Sequence, residues 1–105
     1  MPLYALYAKD KPDGLARRLE HYPAHRAFIE AQDGSAGVTV IMSGPLQTDD
    51  GGVMIGSIIL IEAQTRDEVD QFVAQDPFKR EGVWDEVHIA RYYRRYAVGH
   101  SLPPP

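Results

Sequence analysis

Apolar and polar positions alternate along this chain in patterns that predict six regular elements. Four short runs are rich in β-branched, aromatic or other apolar residues, as is typical of buried strands: residues 3–8, 38–43, 54–62 and 86–93. Two longer segments repeat apolar residues every three or four positions, which predicts helices near residues 13–32 and 65–75. The predicted order is therefore β-α-β-β-α-β.

The second helix has the clearest boundaries. Thr65 and Glu68 have the spacing of a capping box, in which each side chain bonds to the other residue's backbone amide. Pro77 cannot continue the helix, so we expect it to end near Gln75.

The first helix is less regular. Asp13 is a candidate N-cap, and Asp33 with Gly34 ends the pattern with a turn signal. Pro23 lies inside the pattern and cannot donate a backbone hydrogen bond. Two short helices, near 13–21 and 23–32, and one bent helix both remain possible.

This element order predicts an α+β fold of the ferredoxin-like type, a four-stranded antiparallel sheet with both helices on one face. Alternate residues of the first and third strands are apolar on both faces of the sheet. An apolar face must be covered, so we expect a homodimer that packs sheet against sheet. One domain should span residues 1–98, and the Pro-rich segment 99–105 should be a flexible tail.

Composition narrows the possible functions. The 105 residues carry a formal net charge of −4 and no cysteine, which excludes disulfides, thiolate nucleophiles and cysteine-bound metals. The net acidity argues against nucleic acid as a partner, despite the cluster of Arg91, Arg94 and Arg95. We see no signal peptide and no run long enough to span a membrane, so a cytoplasmic location is expected.

Two polar residues lie where the pattern predicts burial. His25 shares a helical stripe with Phe28 and Ile29, and Asp76 follows the stripe of the second helix. A buried polar group needs a partner, and imidazole, which titrates near neutral pH, can act as an acid or a base. A carboxylate in the last turn of a helix is disfavoured by the helix dipole unless a nearby imidazole offsets the cost. We therefore expect His25 and Asp76 to form a catalytic pair.

Other residues are candidates for supporting roles. Asp33 is a second possible partner for His25, about two helical turns further along the chain. Ser43 and the Gly44 backbone, at a strand end, could hold a substrate oxygen. Tyr7 and Trp84 are expected to line the pocket. We expect no metal, because Pro23 disturbs the spacing of His21 and His25 and no third ligand is evident.

Several short motifs, taken together, resemble a known family. They are the run from Tyr4 to Lys11, the stretch from Arg17 to His25, Ser43-Gly44-Pro45, and Asp76-Pro77-Phe78 with Gly82. In order and spacing they are similar to the YCII-related (YciI-like) family over about residues 3–95. The resemblance implies a dimeric ferredoxin-like α/β barrel with a site centred on histidine and aspartate. One branch of that family resembles muconolactone-type enzymes and includes a chloromuconolactone dehalogenase.

The resemblance assigns the histidine to His25 and the aspartate to Asp76 or Asp33, while Ser43 matches a position that is often small. The resulting hypothesis is a cofactor-independent lyase, isomerase or dehalogenase that acts on a small organic acid or lactone through His25 and Asp76. The alternative is a non-catalytic dimeric ligand-binding or scaffold protein in which the pair is structural.

Overall fold

The computed structural model describes all 105 residues, which form one four-stranded sheet, three helices and a small C-terminal hairpin. The strands of the sheet are β1 (Leu3–Asp10), β2 (Thr39–Gln47), β3 (Met54–Glu62) and β4 (Trp84–Tyr92). The helices are α1 (Leu15–Glu30), α2 (Arg66–Gln75) and α3 (Pro77–Arg80). None of these helices has the length and apolar character needed to cross a lipid bilayer.

The sheet has the strand order β2-β3-β1-β4, and every neighbouring pair is antiparallel. In the centre of the sheet, Leu6 of β1 lies opposite Ile59 of β3 and Ile89 of β4. The helices cover one face of this sheet. The predicted α+β ferredoxin-like fold is therefore confirmed.

The core lies between α2, α3 and the helix-facing side of the sheet. Val69, Phe72 and Val73 of α2 are buried, as their helical spacing predicted. The capping box is also confirmed, because the Glu68 amide donates to Thr65 Oγ1 over 3.2 Å and the Thr65 amide donates to Glu68 Oε1 over 3.1 Å. The apolar packing and the capping of α2 therefore both agree with the sequence prediction.

Helix α1 is a single continuous helix with Pro23 inside it. Pro23 is solvent-exposed, so the missing hydrogen bond to the preceding turn interrupts the helix on its outer side only. The N-cap is Gly14, with no side-chain hydrogen bond, so the prediction of Asp13 was wrong. The buried residues of α1 are both polar, Arg18 and His25.

The C-terminal region differs in two ways from the predicted pattern. Strand β4 begins at Trp84, two residues earlier than expected. Beyond it, β5 (Tyr96–Ala97) and β6 (His100–Ser101) pair as a hairpin, which includes residues that were assigned to a flexible tail. The Leu102 amide donates to the Arg95 carbonyl over 2.6 Å, so the hairpin closes by backbone hydrogen bonds.

The face of the sheet opposite the helices remains uncovered by the chain itself. Its exposed apolar side chains come from all four strands: Tyr7, Met42, Ile58 and Tyr92. This agrees with the two-sided apolar pattern of the sequence. The sheet-to-sheet dimer that would cover this face stays a prediction.

Candidate active site

His25 and Asp76 meet in the interior of the protein. His25 Nδ1 lies 2.8 Å from Asp76 Oδ1, although the two residues are 51 positions apart in the chain. His25 is 7% exposed and Asp76 is completely buried. Since an ionised carboxylate can only accept, Nδ1 carries the proton of this hydrogen bond, and Nε2 is left with a free lone pair. Of the two aspartates considered, Asp76 is therefore the one that pairs with His25.

Aromatic rings hold the imidazole in place. The Phe78 ring stacks on His25 with 3.8 Å between centroids and 7° between planes. Trp84 approaches the His25 ring edge-on, at 6.3 Å between centroids and 81° between planes. Packing on two sides restricts rotation of the imidazole, which keeps Nδ1 aligned with the carboxylate.

Asp76 occupies the junction between two helices. It ends α2 and is the N-cap of α3, where its Oδ1 also accepts from the Phe78 amide over 2.9 Å. The expected conflict with the α2 dipole is thus offset by a second helix start as well as by His25. Oδ2 is buried and has no hydrogen-bond partner. Both hydrogen bonds that the carboxylate accepts are therefore made at Oδ1.

A cavity of about 640 Å³ lies between α1 and the edge strand β2, and His25 lines it. This volume is typical of small-molecule sites, which occupy about 300–1,000 Å³. Ser43 and Gly44 line the β2 wall, as the prediction of a substrate-oxygen site requires. Their predicted position at a strand end was wrong, because β2 continues through Pro45 to Gln47. Their binding role stays a prediction.

The other predicted residues have different positions. Trp84 contacts His25 from the buried side and does not line the cavity. Tyr7 was predicted to line the pocket, and this was wrong. It is on the opposite face of the sheet, 43% exposed and packed against His88. Because residues alternate between the two faces of a strand, Leu6 and Ala8 face the helices and Tyr7 cannot.

Asp33 lines the far end of the cavity but does not reach His25. Its Oδ1 accepts from the Ser35 amide over 3.0 Å, and that hydrogen bond lowers the pKa of the Asp33 carboxyl. Nearby, the hydrogen bond from Arg26 to Glu30 raises the pKa of Arg26. Asp33 therefore contributes negative charge to the cavity rim and does not orient the imidazole.

The structure also reveals a buried ion pair that sequence reasoning missed. Arg18 Nε and Nη2 donate to the two carboxylate oxygens of Asp10 over 2.7 and 3.1 Å. Arg18 Nη2 also donates to Ser57 Oγ over 2.6 Å and to the Gly56 carbonyl over 2.7 Å. The signals were present in the sequence, because Asp10 continues the alternation of Leu6 and Ala8, and Arg18 precedes His25 by two helical turns.

No group of three histidine, aspartate or glutamate side chains comes close enough together to hold a metal ion. His21 is four residues before His25 in the sequence, but it does not line the cavity. Its Nε2 lies 3.7 Å from Glu20 Oε2.

Comparison with known proteins gives the same picture of the fold. Protein YciI from Escherichia coli O6:H1 and that from Shigella flexneri are each 28% identical over 92 residues, covering 83% of this chain and 92% of the relative. The solved structure of a 5-chloro-2-hydroxyhydroquinone dehydrochlorinase from Burkholderia phenoliruptrix, in complex with 2,5-dihydroxybenzoquinone, is 33% identical with a TM-score of 0.75. That match covers 87% of this chain and 93% of the other.

SnoaB, a cofactor-independent oxygenase from Streptomyces nogalater, has the same fold at 13% identity, with a TM-score of 0.58 over 94% of this chain and 98% of its own. A model of the YCII-related domain matches residues 2–92. Because this match spans most of the 105 residues, as the resemblance of the sequence motifs implied, the chain belongs to the YCII-related family.

Proposed function

We propose that this protein is a small cofactor-independent lyase, isomerase or dehalogenase in which His25 transfers a proton to or from a small organic substrate. The observation that carries the proposal is the 2.8 Å contact between His25 Nδ1 and the buried Asp76, on a ring that also borders the 640 Å³ cavity. Nε2 makes no hydrogen bond within the protein, so it is the ring atom available to a ligand.

The proposed chemistry uses both nitrogens of the His25 imidazole. Nε2 takes a proton from carbon or oxygen of the substrate, and the resulting imidazolium is stabilised by the Asp76 carboxylate. In an elimination, the electron pair of the broken bond forms a new double bond, and the leaving group departs with its own bonding pair. Removal of a proton beside a carbonyl needs only such a base and a group that holds the substrate oxygen.

The proposed substrates are small organic acids, lactones or hydroxylated rings. The first two classes come from the family resemblance. The ring class comes from the dehydrochlorinase that is 33% identical to this chain, whose name specifies a chlorinated hydroxyhydroquinone. Ser43 and the Gly44 backbone, on the β2 wall, are proposed to hold a substrate oxygen.

The proposal is tested with His25→Asn and chloride release from 5-chloro-2-hydroxyhydroquinone as the assay. The asparagine amide can still donate to Asp76, whereas the Nε2 base is lost. We expect turnover to fall by at least about a hundredfold, while the variant still unfolds cooperatively in a thermal melt.

His21→Asn is the matched control, because His21 is on the same helix and outside the cavity. It should leave turnover unchanged. Retained activity in His25→Asn would refute the role of His25. A parent protein with no turnover, combined with a large drop in the melting temperature of His25→Asn, would favour the non-catalytic alternative.

We also propose that the protein is a homodimer that buries the uncovered face of the sheet. The support is the exposed apolar group of Tyr7, Met42, Ile58 and Tyr92 on that face. Light scattering should give twice the monomer mass for the parent and the monomer mass for Ile58→Lys. A parent that is monomeric at micromolar concentration would contradict this arrangement.

A further inference from the structure

Two buried side chains beside the candidate active site each have a hydrogen-bond donor that no protein group accepts. They are Arg18 and Ser57, both 2% exposed and both on the wall of the cavity that His25 lines. Neither was part of the proton-transfer scheme above. Donors that face a cavity and have no partner in the protein are available to a ligand that accepts hydrogen bonds.

The Arg18 guanidinium is only partly used by the protein. Nε donates to Asp10, and Nη2 shares its two hydrogens among three acceptors, which are Asp10 Oδ1, Ser57 Oγ and the Gly56 carbonyl. Nη1 makes no hydrogen bond and is not among the buried unpaired atoms, so its two N–H groups remain accessible from the cavity.

Ser57 has one proton, and the protein leaves that proton free. Its Oγ accepts from Arg18 Nη2 over 2.6 Å and from Trp84 Nε1 over 3.3 Å. A hydroxyl oxygen has two lone pairs, and these two donors occupy both. The hydroxyl can therefore only donate, and no protein acceptor is present for it.

The two donors and the proposed base line the same cavity. The Phe78 ring stacks on His25 at 3.8 Å and also has the Arg18 guanidinium 4.6 Å from its centroid. One molecule bound in this cavity therefore has Arg18, Ser57 and His25 on its walls. Asp10 balances the charge of Arg18 at the ion pair, so the guanidinium stays in place whether or not a ligand is bound.

We propose that Arg18 Nη1 and the Ser57 hydroxyl form an oxyanion subsite, so that the preferred ligand has an anionic oxygen on a planar carbon framework. This inference rests on the proposed function for the position of the reacting group next to His25. An oxyanion held there would be a carboxylate or the enolate oxygen of a hydroxylated ring, and charge developing on it during proton removal would meet two donors already in place.

Isothermal titration calorimetry with charged and neutral ligand pairs tests the subsite. The ring pair is 2,5-dihydroxybenzoquinone, whose hydroxyl groups ionise readily, and 2,5-dimethoxybenzoquinone, which has no ionisable hydroxyl. The carboxylate pair is benzoate and benzamide. Comparison of the two pairs shows whether the subsite prefers a carboxylate or the enolate oxygen of a hydroxylated ring. The parent protein should prefer the anion in at least one pair.

Ser57→Ala removes the free proton and should weaken binding of the preferred anion by about tenfold or more, with little effect on its neutral partner. Arg18→Lys keeps the charge but loses the forked donor geometry, and should also weaken anion binding. Ser101→Ala, in the distant hairpin, is the matched control and should bind as the parent does. Circular dichroism melts verify that each variant is folded.

Equal affinity of the parent for anions and neutral partners, or no binding of either anion, would overturn the subsite. So would unchanged anion affinity in folded Ser57→Ala. The ratio of anion to neutral affinity in the parent is a test even if both variants fail to fold. His25→Asn separates the two proposals. If His25→Asn retains turnover while Ser57→Ala binds the anion more weakly, the role of His25 as a base is refuted and the oxyanion subsite is supported.

Discussion

Helices α1 and α2 pack on the same sheet but are held there by different interactions. The buried residues of α2 are Val69, Phe72 and Val73, and a capping box fixes its start. Those of α1 are Arg18 and His25, and its N-cap makes no side-chain hydrogen bond. The inner surface of α2 is therefore stabilised mainly by removal of apolar area from water, whereas the buried part of α1 depends on specific polar partners.

This difference shows that the buried side chains of α1, unlike those of α2, lie at the candidate site. An apolar stripe tolerates small changes of position, but a buried ion pair and a buried His–Asp pair need their partners at fixed distances. Both polar partners of α1 come from other elements, Asp10 from β1 and Asp76 from the α2–α3 junction. The helix that binds these partners is thereby the one that aligns donors and base along the cavity.

The largest effect is expected when α1 loses one partner of its ion pair. Arg18→Met leaves the Asp10 carboxylate buried and uncompensated, which should lower the free energy of unfolding by about 3–5 kcal/mol. Adding Asp10→Asn removes the second charge and should restore much of this loss. Urea unfolding followed by circular dichroism measures both. Equal losses in the single and double variants would contradict the polar account of α1.

A smaller effect is expected from the apolar stripe of α2. Val69→Ala, at a fully buried position, should cost about 2 kcal/mol through lost burial and an incompletely filled space. Val53→Ala is the matched control, since Val53 is 41% exposed, and it should cost less than about 0.5 kcal/mol. Urea unfolding again gives the values. A change in ligand affinity for Val69→Ala would show that α2 also shapes the site.

The smallest effects are expected from substitutions at the N-termini of α1 and α2. Thr65→Ala removes the capping side chain of α2 and should cost about 1 kcal/mol. Asp13→Ala should change the melting temperature little, because Gly14 is the N-cap of α1 and no side chain caps it. Similar losses for both substitutions in thermal melts would mean that Asp13 supports α1 after all.

The fold was predictable because local signals and the global arrangement agree. The capping box at Thr65, the stop before Pro77 and the β-branched strands each gave the correct element. The start of α1 was not predictable in the same way, since its N-cap is Gly14, which has no side chain to mark the helix start. Pro23 did not divide the helix, because its position on the outer side leaves the buried contacts unaffected.

The site was predictable only where burial could be inferred from position. The stripes of both helices located His25 and Asp76, and their pairing then followed from the cost of burial. Tyr7 was misplaced because its strand is apolar on both faces, so alternation alone did not show which face meets the helices. Arg18 and Asp10 were missed because charged residues are usually solvent-exposed, and only their mutual pairing makes burial possible.

The edge position of β2 has a consequence for how such a protein can diversify. Strand β2 is an edge strand whose one neighbour in the sheet is β3, and its residues Ser43, Gly44 and Pro45 are exposed and also line the cavity. Substitutions there alter the shape and polarity that a bound molecule meets while disturbing few core contacts. Related proteins with this fold can in this way differ in the molecules that their cavities accept while the buried residues behind the cavity stay the same.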